Sequence, residues 1–203
     1  MTRRSTAFVK TSTTERKAIN AILRVWDRAT PDQITEGRTW YARAFVLANQ
    51  VSEIADISLD RAACVISALS PRTKWERNVV AALAIARGEP VSGTLPMNIE
   101  RAQRAMTVDD PWSVFSPQTP KIHSFAKNIL GDTTAVTVDM WASLVAGVTE
   151  TEMGRVGVYE AVAEAYRRAA ALREVAPPVM QAGTWVVVRP TPRNSKTFEY
   201  AQL

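Results

Sequence analysis

Pro120-Lys121-Ile122-His123-Ser124-Phe125-Ala126-Lys127-Asn128-Ile129-Leu130-Gly131-Asp132-Thr133-Thr134-Ala135-Val136-Thr137-Val138-Asp139-Met140-Trp141 is the stretch on which the reading of this chain turns. Lys121–Leu130 reads as one helix, stopped at Gly131. A second helix falls within Val136–Val148 and ends near Gly147, with Asp139 at its start. An aspartate there is a natural cap, because its carboxylate accepts from backbone amides that lack a partner inside the helix. An eight-residue connection, 131–138, joins the two helices, and the rest of the chain also reads as helical.

Upstream, Thr13-Thr14-Glu15-Arg16 opens a helix carrying Ile19, Ile22, Leu23 and Trp26 at helical spacing. Ala29-Thr30-Pro31-Asp32 breaks the pattern, and Thr39–Ala55 reads as the second helix. The run Ala62–Leu69 is apolar nearly all round, which places its helix in the middle of a fold. After Ser70-Pro71-Arg72-Thr73 the helical pattern resumes over Lys74–Arg87 and closes at Gly88. Short helices follow over Asn98–Met106 and after Asp110-Pro111, and a long amphipathic one over Val158–Leu172. Pro177–Arg189 carries both helix and strand signals; without an evident partner strand it reads as helix. The expectation is an all-α, compact single domain of about eight to nine helices. A basic arm occupies 1–12, the helical domain 13–188 and a tail 189–203.

Composition narrows the function classes. Of 203 residues, 46% are hydrophobic and 22% charged, as in an ordinary globular domain. One cysteine, Cys64, excludes a disulfide framework, and with one histidine, His123, it excludes a Cys/His zinc site. No metal and no cofactor are expected. Cys64 lies in the apolar run and reads as an inert core thiol. No apolar run is long enough to span a bilayer, and no h-region follows Met1-Thr2-Arg3-Arg4-Ser5. A cytoplasmic protein without a membrane partner is the expectation. The net charge is +5, and residues 1–100 hold 14 Lys/Arg against 10 Asp/Glu, so the basic excess lies in the first half.

Two segments together carry a family resemblance. Lys121 and the element Val138-Asp139-Met140-Trp141, 18 positions apart counted from lysine to aspartate, resemble the helix-hairpin-helix DNA glycosylases of the endonuclease III type. The apolar helix Ala62–Leu69, followed by Ser70-Pro71-Arg72-Thr73 and Asn78, is similar to that family's helix and the loop that pushes a wedge residue into DNA. The likeness covers about residues 59–150. It implies a helix-hairpin-helix core, double-stranded DNA as partner, Asp139 as catalytic carboxylate and Lys121 as amine nucleophile. The sequence departs from the family in several respects, among them a wedge loop one residue shorter, no iron–sulfur cysteines and a shorter distance between the two motifs. Ser116-Pro117-Gln118-Thr119-Pro120 stands where the family has a glycine-rich hairpin, Pro71-Arg72 where it has glutamine, and Trp141 where it has histidine or a similar residue. The compact form is similar to small proteins of phages and mobile elements.

The resemblance implies an enzyme acting on a base flipped out of the duplex. Ser70, Arg72, Thr73, Lys74, Arg77 and Asn78 are the nucleic-acid candidates, since guanidinium and ammonium groups at a helix start suit phosphates. Tyr41, Trp141 and Gln181 are the pocket candidates, while Trp75 reads as core. Three readings stay open: a glycosylase, a base-modifying transferase on the same scaffold, and a non-catalytic DNA-binding module.

Overall fold

The computed structural model describes residues 12–189. Apart from Ser12 and Arg189, the arm read over 1–12 and the tail read over 189–203 lie outside them. The described residues form ten α-helices and one 3₁₀ turn, without a strand. They are α1 (Ser12–Trp26), α2 (Pro31–Ala55), α3 (Leu59–Leu69), α4 (Trp75–Ala86) and α5 (Pro96–Thr107). After the 3₁₀ turn (Pro111–Val114) come α6 (Pro120–Ile129), α7 (Met140–Val145), α8 (Glu150–Met153), α9 (Val158–Ala171) and α10 (Pro177–Val188). None of the helices is long and apolar enough to cross a membrane.

The count exceeds the sequence expectation because of α8. This short helix is held by a capping box in which Thr149 and Glu152 satisfy each other's backbone amides. A second difference is the start of α2. It begins at Pro31, not Thr39, because Thr30 and Gln33 form a capping box and Pro31 occupies the first helical position. Gly37 lies inside this helix, where glycine costs about 1 kcal/mol relative to alanine.

The packing explains Gly37. A Cβ at this position would stand 2.6 Å from the Cα of Gly183 on α10. Gly183 in turn is covered by the ring of Trp26, which a Cβ there would meet head-on. Helices α2 and α10 therefore cross backbone to backbone, closer than any residue with a side chain permits. The crossing also decides the ambiguous Pro177–Arg189 segment, whose Val186-Val187-Val188 is carried on a helix.

Two hydrophobic clusters meet at this crossing. One surrounds α3, whose residues from Ala62 to Leu69 are all buried, and draws on α2, α4, α5 and α6. The other joins α1, α7, α9 and α10 around Tyr166, Ile22 and Met180. Cys64 lies in the first cluster, and burial pushes its thiol up to about 12.

Candidate functional site

Asp139 is the N-cap of α7, and its carboxylate accepts from the Ala142 amide at 2.8 Å. The segment before it is fixed in depth. Thr137 donates to Asn128 Oδ1 at 2.8 Å, while Asn128 Nδ2 donates to the carbonyls of Asp132 (3.0 Å) and Ala135 (2.9 Å). One buried amide thus holds the whole connection between α6 and α7 against the end of α6.

Tyr159 of α9 sets the two helix starts relative to each other. Its hydroxyl accepts from the Val138 amide at 3.1 Å and faces the carbonyls of Val136 (2.9 Å) and Pro120 (3.4 Å). Pro120 opens α6, and Lys121 follows it in the first turn. The phenol therefore braces the Lys121 backbone against the extended approach to Asp139. Burial raises the Tyr159 hydroxyl above its ordinary pKa.

Lys121 and Asp139 line the same pocket, which encloses about 130 Å³ at the seam of the two clusters. That is below the range of about 300–1,000 Å³ of drug-sized ligand sites, so the pocket suits a single small group. Its walls are aromatic. Trp40 of α2 stands 4.7 Å from Trp185 of α10 and 5.3 Å from Trp75 of α4, centroid to centroid. Phe125 of α6 meets Trp75 and Tyr41 edge-on. Two arginines lie over indoles of this row: Arg43 over the central Trp40 at 5.6 Å and Arg189 over Trp185 at 4.3 Å.

Burial dominates the electrostatics. Desolvation lifts the Asp139 carboxyl above its ordinary pKa. The amides of Ala142 and Trp141 and the Lys121 ammonium oppose this without cancelling it. The Tyr41 phenol is also pushed up, chiefly by burial, and it donates to Gln181 Oε1 at 2.8 Å. Tyr41 and Gln181, both pocket candidates from the sequence, thus join α2 to α10 beside Asp139.

The nucleic-acid candidates divide. Ser70, Thr73 and Asn78 line the pocket. Asn78 is 1% exposed, so it is a buried lining residue and not a surface contact to DNA. Arg72, Lys74 and Arg77 are exposed. They alternate along the chain with the lining residues, so the same short loop and helix start turn polar groups inward and cations outward. Arg72 holds the left-handed conformation, φ 55°, which makes this turn tight.

Trp141 does not line this pocket. It faces a separate groove with Arg24, Arg28, Leu144 and Val188, because it lies two residues beyond the capping Asp139 and so on another side of the helix. Trp75, read as core, is half-buried and forms part of the pocket wall. Sequence reasoning gave Trp40, Phe125 and Thr137 no part in the site. The available signal was the pairing of Trp40-Tyr41 with Gln181 and Trp185, but their meeting depends on the α2–α10 crossing. His123 packs edge-on against Trp112 and Phe115, away from the pocket, and burial lowers its pKa. Among the described residues no group of three or more His, Cys, Asp or Glu is placed to hold a metal ion.

No curated protein and no solved structure matches the chain. Residues 5–192 match a family of unknown function, DUF7178, and the chain belongs to that family.

Proposed function

We propose that this protein is a DNA-base enzyme resembling the DNA glycosylases, which takes a base flipped out of the duplex and acts at its bond to the sugar. The observation that carries the reading is that Lys121 and Asp139 share one small, aromatic-walled pocket. The exposed cations Arg72, Lys74 and Arg77 on the adjoining loop and helix suit the phosphates of a DNA strand. Aromatic walls suit a planar base, which stacks on them whatever its identity.

In this reading Asp139 stands beside the anomeric carbon and stabilises the positive charge that grows there as the bond to the base breaks. A water oxygen adds to that carbon. The base departs with the bonding pair and one of the water's protons, and the sugar keeps the hydroxyl. A carboxylate whose proton affinity is raised by burial is suited to hold that proton in transit. If the Lys121 amine attacks that carbon in place of water, the bond to the base breaks, the base leaves with the bonding pair and a proton from the amine, and the aminal left on the sugar ring-opens to a Schiff base.

The test is mass spectrometry of duplex oligonucleotides bearing normal, damaged and hypermodified bases after incubation with the protein. A free base and an abasic strand support the proposal, and borohydride then traps the Lys121 adduct if that route operates. A mass shift without base loss makes the protein a modifying transferase. Unchanged strands that still bind with strong salt dependence make it a binding module.

A further inference from the structure

Several polar groups of the pocket are left without a protein partner. The side chain of Asn78 has a fixed direction: its Nδ2 donates to the Ile66 carbonyl at 3.1 Å, and a carbonyl can only accept. Its Oδ1, an acceptor, has no donor, and neither has the buried Ser70 Oγ a partner. Across the pocket, Gln181 spends its Oε1 on the Tyr41 hydroxyl, while its amino group donates to no protein group among the described residues. A buried acceptor left unpaired keeps the full cost of its desolvation, so native proteins rarely leave one in place without a use for it. Here Asn78 and Ser70 line the same small pocket as Lys121 and Asp139.

We infer that Asn78, helped by Ser70, is the specificity-determining group of this pocket and selects a planar ring that carries an N–H donor. Asn78 Oδ1 accepts from that N–H, and Gln181 offers its amino group to an acceptor on the same ring. The aromatic walls supply stacking that is indifferent to ring identity; the amide oxygen supplies discrimination. An apolar ring of the same shape leaves Oδ1 unpaired. The inference deepens the proposed function by naming what the pocket reads, and it rests on the pocket being a ring-binding site.

The experiment uses the full chain, with tryptophan emission as the readout because Trp40, Trp75 and Trp185 line the pocket. Two probes are titrated: thymine, and difluorotoluene, which copies thymine's shape but has no N–H. Thymine is expected to bind at least about tenfold more tightly. Asn78→Leu is expected to bring the two rings level. Since Asn78 also bonds Ile66, Ser70→Ala serves as the second variant, and it is expected to narrow the preference several-fold with the fold intact. Equal binding of both rings, a preference that survives both variants, or no quenching by either ring overturns the inference. Thymine selectivity in a protein that leaves every oligonucleotide unchanged and unbound keeps the inference and removes the DNA reading.

Discussion

Asp139 does two jobs that a substitution can separate. As a cap it accepts from Ala142, and asparagine caps nearly as well. As a buried carboxyl it is held above its ordinary pKa. The folded state therefore binds its proton more tightly than the unfolded chain does. Stability from this group is complete below the ordinary carboxylate pKa and falls as pH rises through the raised one. Asp139→Asn removes that penalty. Urea titrations should find the variant no less stable than wild type at neutral pH, with its relative stability declining towards acid. Under the proposed function, base release by the same variant should fall by about a hundredfold or more. A variant destabilised at neutral pH with its activity intact would reduce Asp139 to a cap. Cys64 offers a second check at this scale. Buried, with its thiol pushed up to about 12, it should resist thiol reagents at pH 8 in the native protein and react at once in denaturant.

Among the elements, the glycine crossing is the most exposed to test. Gly183→Ala drives a methyl group into Trp26, and Gly37→Ala drives one into the backbone of α10. Each should destabilise by about 1–3 kcal/mol or more in urea unfolding. Gly154→Ala, where the nearest atom to the new Cβ is the Thr151 carbonyl oxygen at 3.6 Å, should be nearly neutral. Thr30→Ala, which opens the capping box of α2, should cost about 1 kcal/mol. The same features mark what was legible in the sequence. The all-round apolar run of α3 and the aspartate that caps α7 could be read locally, because burial pattern and capping are local chemistry. The start of α2 could not. Gly37 looks like a breaker until its partner 146 positions away is known, and only the crossing makes it an asset. Of the site, Lys121, Asp139, Tyr41 and Gln181 were named from sequence and share the pocket, whereas Trp141 was named and lies elsewhere. Register on a short capped helix decided that difference, and no periodicity in six residues reveals it.

Across the whole molecule, positive charge and the pocket adjoin but stay chemically separate. Arg72, Lys74 and Arg77 are exposed beside a pocket whose own lining is mostly neutral and aromatic. Under the proposed function, replacing all three with alanine should weaken binding to duplex DNA about equally for every sequence. The slope of log affinity against log salt should shrink by about one unit for each phosphate deprived of its cation. Ring selectivity in the pocket should remain, because the residues that supply it are buried. An unchanged salt slope would place the DNA elsewhere on the surface. Both clusters must be assembled for the pocket to exist at all: α2 and α10 bring its walls together, and the Tyr41–Gln181 hydrogen bond closes over 140 positions of chain. During synthesis Lys121 and Asp139 leave the ribosome long before Gln181 and Trp185 do. Under the proposed function, a nascent or prematurely ended chain thus carries Lys121 and Asp139 without the wall that would hold a ring against them, and chemical competence arrives only with α10.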